Sequence, residues 1–243
     1  MFAPHGPTLR ELAVQALSSV ERGYDLLAPK FDATPFRTPA PVLDAVTAQL
    51  RRRGPYRTGL DLCCGTGAGL GVLDAVCGEL VTGVDVSTGM LRQARAAAAA
   101  ARTPAHLVRG DALALPYRQA FDLVVSFGAF GHFLPRERPA LFAAVLRVLR
   151  PGGSLAFPLP ASPRPGTPAD LALLGFDTAM RLRNALWRPP FVMYYRTFRP
   201  VRIRRELVRA GFEVDIRPLT ALGTRADGRP RCGLVVATRP GPR

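Results

Sequence analysis

The amino-acid sequence predicts an α/β fold: a doubly wound, mostly parallel sheet of seven strands, with an N-terminal helical lid and an insertion after the fifth strand. Three observations lead there. From Thr58 onward, short apolar runs alternate with helical stretches, the pattern of βαβ units whose sheet is covered on both faces. A glycine turn, Gly65-Thr66-Gly67, separates the first such run from a helical stretch, at the place where a parallel sheet receives ligands. Finally, 243 residues with 48% hydrophobic content suffice for one domain carrying extra segments.

The N-terminal elements come first. Thr8-Leu9-Arg10-Glu11 has the form of a capping box, and Leu9, Leu12, Ala13, Ala16, Leu17 and Val20 repeat at helical spacing, so an amphipathic helix opens the chain. Residues 23–41 mix proline with aromatics. Pro41 then starts a second helix whose Val42, Val46 and Gln49 run toward Arg51-Arg52-Arg53. These segments form the expected lid, residues 1–57, ahead of the main domain, residues 58–243. Strands are expected at Gly59 to Cys64, Leu80 to Val86, Ala105 to Gly110, Phe121 to Phe127, Ser154 to Leu159, Glu213 to Pro218 and Leu234 to Thr238. Ser87 caps a helix through Met90 to Ala101, and Arg136 to Leu149 forms another that stops before Pro151-Gly152-Gly153. Between about 160 and 200 the alternation breaks. A proline-rich entry leads to Phe176, Trp187, Phe191, Tyr194, Tyr195 and Phe198, read as an insertion whose aromatics chiefly pack its own core.

Composition narrows the function classes. The formal charge of +15 suits an acidic partner, yet the arginines are scattered, Lys30 is the only lysine, and no interleaved aromatic and basic motif of an RNA-binding module appears. The charge therefore reads as compositional, and no nucleic-acid partner is expected. No apolar run reaches the ~18 residues needed to span a bilayer. Met1 to Arg10 lacks the apolar stretch of a signal peptide, which makes a cytoplasmic location the expectation. Cys63, Cys64, Cys77 and Cys232 show neither CxxC pairs nor histidine-flanked spacing, so neither a metal site nor a disulfide framework is expected.

The chemistry concentrates at strand ends. Leu60-Asp61-Leu62-Cys63-Cys64-Gly65-Thr66-Gly67-Ala68-Gly69 is a nucleotide-type loop, with glycines where side chains would block a ligand approaching the backbone. Asp85 closes the next strand twenty residues after Gly65, the distance of an acid that grips a ribose diol. This pair alone fits NAD equally well. Asp61, just before the turn, is placed to attract an ammonium, and Gly110-Asp111-Ala112 offers a carboxylate and an amide to an adenine edge; a dinucleotide leaves both unexplained.

In this order and spacing, Leu60 to Gly67, Gly83-Val84-Asp85-Val86-Ser87, Gly110-Asp111-Ala112 to Leu115-Pro116, Phe121-Asp122-Leu123-Val124 and Leu149-Arg150-Pro151-Gly152-Gly153 resemble class I methyltransferases. The resemblance covers roughly Thr58 to Leu159, with a weaker ending at Arg209-Ala210-Gly211-Phe212. It implies a Rossmann-like sheet and S-adenosyl-L-methionine as cofactor. Asp61, Gly65 and Gly67 would then surround the methionine part, Asp85 the ribose, Met90 the adenine face, and Asp111 with Ala112 the adenine edge. Ser126 would lie beside the cofactor, and Cys64 and Val86 complete the contact set. Cys63 departs from the pattern where many relatives carry the loop's first glycine, and the double cysteine is similar to quinone-biosynthesis methyltransferases. In-line methyl transfer needs positioning above all, so a base is optional. His132, after the fourth strand, is the first candidate for one, against a purely structural reading; Tyr24, Tyr194 and Tyr195 come second. The expected acceptor is a small, partly apolar metabolite. The alternatives are a noncatalytic or RNA-associated member of the fold and, behind it, an NAD-dependent dehydrogenase.

Overall fold

The structure, a computed structural model, describes residues 5–194 and 200–241. Seven strands form one sheet: β1 (Tyr56–Leu62), β2 (Cys77–Asp85), β3 (Ala105–Arg109), β4 (Phe121–Val125), β5 (Leu149–Pro160), β6 (Glu213–Pro218) and β7 (Cys232–Thr238). Their order is β3-β2-β1-β4-β5-β7-β6, with β7 antiparallel to both neighbours and the other pairings parallel. This is the expected doubly wound sheet. Chain order reverses between β1 and β4, which opens a crevice at their carboxyl ends.

The apolar runs lack alternation because both faces are covered. Leu60, Leu62, Val124 and Phe157 pack one way, against α6 (Arg138–Val148) and α8 (Pro200–Arg209), through Phe142, Ile203 and Leu207. Val81, Leu123, Val125 and Val236 pack the other way, against α3 (Ala40–Arg51) and α4 (Ala68–Asp74), through Val46, Leu50, Leu70 and Leu73. α3 is thus a sheet-packing helix, although it lies within the segment read as lid. α5 (Thr88–Ala100) starts at Ser87, whose hydroxyl accepts the Met90 amide at 3.0 Å as the sequence predicts.

The N-terminal capping box is present: the Glu11 amide donates to Thr8 Oγ1 at 3.2 Å, and the Thr8 amide to Glu11 Oε2 at 2.7 Å, opening α1 (Leu9–Leu17). Beyond it lie elements that the sequence pattern does not announce. α2 (Val20–Leu27), capped by Ser19, and a 3₁₀ turn at Ala28–Ala33 occupy much of the proline-aromatic stretch. Gly23 serves close approach here, since a Cβ would stand 2.6 Å from the Phe191 ring. The insertion contains a 19-residue helix, α7 (Pro168–Leu186), capped by Thr167. The Pro151-Gly152-Gly153 segment does not precede β5 but belongs to it. The β4 to β5 register shifts between Phe121 and Leu123, and a side chain at Gly153 would press the carbonyl oxygens of Phe121 and Asp122 at 3.1 Å.

Candidate active site

The carboxyl ends of β1, β2, β3 and β4 line one cavity of about 870 Å³ together with residues from the N-terminal helices and from the segment after β5. Chain direction places each acid there. At the end of β1, Asp61 is buried with its carboxylate turned toward the start of α4, whose Gly69 and Leu70 amides face it and favour its charged form. Gly69 has to be glycine, because a Cβ would coincide with that carboxylate. One oxygen, Asp61 Oδ2, is buried without a hydrogen-bond partner. Burial, and next the neighbouring Asp85 charge, push the Asp61 carboxyl well above the usual carboxylate range.

Asp85 ends β2 and is almost fully buried. Its Oδ2 accepts the Gly65 amide at 2.8 Å and its Oδ1 the Ser87 amide at 2.9 Å, two bonds that hold its carboxylate at the mouth of the glycine turn. Burial raises its pKa, these amides oppose the rise, and the Asp25 charge adds to it. Asp25, on α2, is absent from the sequence-derived site. Its Oδ1 accepts the Ser87 hydroxyl at 2.6 Å and the Gly89 amide at 2.7 Å, which docks α2 on the first turn of α5. No local motif marks Asp25; only the folded approach of α2 to α5 reveals it.

Gly65, at φ 53°, would point a Cβ into open space, so this turn leaves room beside Asp85 for a ligand. Gly67, at φ 91°, does not line the cavity: a Cβ would stand 2.9 Å from that of Ala97, so this glycine serves packing of the loop on α5. Ser126 also turns away, its buried hydroxyl donating to the Leu62 carbonyl at 2.8 Å and tying β4 to β1. The other expected residues, Cys64, Val86, Met90, Asp111 and Ala112, line the cavity. Met90 is also buried helix core. Asp111 Oδ1 accepts the Leu113 amide at 2.9 Å, which fixes the turn after β3. Cys63, the departure from the glycine pattern, lines the cavity at φ 56°, a left-handed conformation that favours glycine.

His132 closes a 3₁₀ turn, Ala129–His132, after β4. Its Nδ1 lies 2.7 Å from the Val192 carbonyl oxygen, which only accepts, so Nδ1 carries the ring proton. Its Nε2, 2.8 Å from the Tyr24 hydroxyl, is then the acceptor of that O–H. Burial pushes the His132 pKa down and keeps the ring neutral at pH 7. Tyr24 and His132 both line the cavity. The Tyr194 hydroxyl accepts from Asn184 Nδ2 at 3.0 Å, while Tyr195 and Phe198 lie outside the described residues. Asp122 sits at the opposite sheet edge, accepting the Arg57 and Thr58 amides at 2.9 Å and pairing with Arg150, which is a structural role.

Two neighbouring buried carboxyls with raised pKa values, one with an unsatisfied oxygen, suit a cationic ligand. S-adenosylmethionine, with its ammonium and sulfonium, fits that demand. Among the described residues no group of three or more His, Cys, Asp or Glu could hold a metal ion, and the four cysteines are free.

Comparison with known proteins agrees with this architecture. The methyltransferase domain model matches residues 60–153. A demethylmenaquinone methyltransferase of Shouchella clausii is 40% identical over 100 residues, 40% of this chain and 42% of that protein. A tRNA (carboxymethyluridine(34)-5-O)-methyltransferase of Saccharomyces cerevisiae is 31% identical over 148 residues, 60% of this chain and 49% of that one. The chain thus spans less than half the length of these two relatives. An O-methyltransferase family protein of Burkholderia thailandensis has the same fold, with a TM-score of 0.68 at 18% identity over 96% of this chain and 68% of that one. Motif order, sheet topology and the matched segment agree: residues 60–153 are similar to the methyltransferase domain, and the sheet has the fold of such enzymes.

Proposed function

We propose that this protein is an S-adenosylmethionine-dependent methyltransferase whose acceptor is a small, partly apolar molecule. The observation that carries the reading is the continuity of one cavity: it runs from the acids of the sheet edge to a wall built from Phe36, Phe127, Leu173, Val192 and Met193. A planar, partly apolar ring such as that named in the demethylmenaquinone relative suits such a wall.

When bound, the cofactor supplies a methyl group on a sulfonium, an excellent leaving group. Asp61 would hold the ammonium with its unsatisfied oxygen, Asp85 the ribose hydroxyls, Met90 the adenine face, and Asp111 with the Ala112 amide the adenine edge. Positioning of cofactor and acceptor in one cavity is worth effective molarities of ~10⁵ M or more. For an acceptor that has to lose a proton, Tyr24 and His132 act as a unit. The Tyr24 oxygen takes the acceptor's proton as its own passes to His132 Nε2, and the imidazolium formed keeps its Nδ1–H bond to the Val192 carbonyl. His132 is in this reading the base, reached through Tyr24.

The net charge of +15 and the tRNA-modifying relative favour one second reading, a nucleic-acid acceptor. Calorimetric titration with S-adenosylmethionine and with NAD, using Asp85→Ala as the control, tests the cofactor. Transfer of radiolabelled methyl to a fractionated extract tests the acceptor. Label in small apolar metabolites supports the proposal, label in RNA alone replaces it with the second reading, and NAD binding alone rejects both.

A further inference from the structure

Helix α7 is amphipathic in the inverse sense. Its inward positions hold Asp170, Asp177 and Asn184 with Leu173 and Met180. Opposite them, at spacings of one, three and four turns, stand Leu171, Leu182 and Leu186, which are 55%, 60% and 77% exposed, with Gly175 and Ala179 between. No charged residue lies on that stripe. Trp187, the single tryptophan of the chain, stands at the C-cap and is 52% exposed. Arg181 and Arg183 flank the stripe and Arg188 succeeds it. Arg183 Nη2 donates to the Ser18 carbonyl at 3.2 Å, which draws the end of α1, with its exposed Leu17, beside the last turns of α7.

A helix with leucines and tryptophan outward and arginines at its margins matches the interface of a bilayer, where aliphatic side chains enter the acyl boundary and tryptophan and arginine stay among the headgroups. Among the described residues no helix is long and apolar enough to cross a membrane, so α7 would lie in the interface plane. Charge selects between occupants. A second copy brings the same +15, whereas an anionic lipid surface is complementary to it. The cavity adds a reason for the placement: Asp170, Leu173, Pro189 and Pro190, from the inward side of this same segment, line it. We infer that the outward face of α7, with Trp187, docks this protein on the surface of an anionic lipid bilayer. The inference goes beyond the methyl-transfer reading and does not depend on it.

Trp187 reports directly on this in the unmodified full chain. With vesicles of phosphatidylcholine containing about one third phosphatidylglycerol, its emission shifts to the blue and is quenched by brominated acyl chains; with pure phosphatidylcholine the response is at least about tenfold weaker. The double variant Leu182→Glu, Leu186→Glu lowers the vesicle partition coefficient more than about tenfold, and Arg188→Gln lowers it about fivefold. Both change exposed positions, and circular dichroism with S-adenosylmethionine titration verifies that they remain folded. The inference is overturned by an unchanged Trp187 spectrum on anionic vesicles, or by equal response to neutral ones. It is equally overturned by a blue shift that grows with protein concentration alone, which marks a second copy, or by one that only RNA elicits.

Discussion

Asp61→Asn separates binding from folding in one substitution. The amide keeps the volume of the side chain and an oxygen facing the Gly69 and Leu70 amides, and leaves one buried polar atom without a partner in place of another. What it removes is a carboxyl that burial and Asp85 push well above its ordinary range. The amide resembles the protonated carboxyl that burial and Asp85 favour in the ligand-free protein, so the ligand-free Tm shifts by no more than a few degrees. Affinity responds more strongly. A charge-assisted bond to the ammonium is worth about 1.5–3 kcal/mol, so the Kd for S-adenosylmethionine weakens about 10- to 150-fold. Thermal unfolding of both proteins with and without ligand, beside calorimetric titration, reads both numbers. A much lower Tm with unchanged affinity would refute the reasoning and reduce Asp61 to a cap for α4.

Tyr24→Phe and His132→Gln each lower turnover about 10²- to 10⁴-fold while leaving S-adenosylmethionine affinity within about twofold, and the double variant is no worse than either single one; additive losses in steady-state kinetics would show that the two do not act as a unit. Cys63→Gly relieves the left-handed backbone at φ 56° and stabilises by about 1 kcal/mol, visible as a Tm higher by a few degrees; a fall would mean that the thiol's packing outweighs the strain. Gly89→Ala places a Cβ 2.9 Å from Asp25 Cα and its carbonyl oxygen, and so pushes α2 off α5: expected are a loss of about 1–3 kcal/mol, faster proteolysis within residues 20–33 and a raised KM for S-adenosylmethionine. Because Asp61 and Asp85 have raised pKa values when folded, their contribution to stability is present below the ordinary carboxylate range and is lost as pH rises through the folded values. A cationic ligand favours their ionised forms, so S-adenosylmethionine binding releases protons, and calorimetry in buffers of different ionisation enthalpy measures the number; proton uptake would contradict the cluster's assignment.

The sheet was legible because its signal is local and redundant. Val81, Val84, Leu123 and Val125 are apolar on both faces, Ser87 caps α5, and glycines mark the turns. The acids were legible because β1, β2 and β3 run in one direction and bring Asp61, Asp85 and Asp111 to one edge. Contacts between distant segments stayed hidden. Gly67 and Gly65 belong to one motif, yet only Ala97 across the loop assigns the first to packing. Ser126 succeeds β4 in a position that suits a ligand, but the Leu62 carbonyl takes its hydroxyl. α7 escaped because its apolar stripe faces outward, so its pattern did not read as a helix burying a face in this domain.

Helix α2 serves both ends of the cavity. Tyr24 reaches His132 at the insertion side, and the adjacent Asp25 reaches Ser87 and Gly89, whose segment in turn presents an amide to Asp85. Two successive residues on α2 point about 100° apart, so a rigid helical turn cannot seat one without fixing the other. Seating Asp25 requires Gly89, and seating Tyr24 requires the close approach that Gly23 allows beside Phe191. The Tyr24–His132 contact and the turn that positions Asp85 are therefore coupled through α2. A substitution that shifts this helix at either residue disturbs both ends of the cavity, because the hydrogen bonds at the two ends share one rigid element.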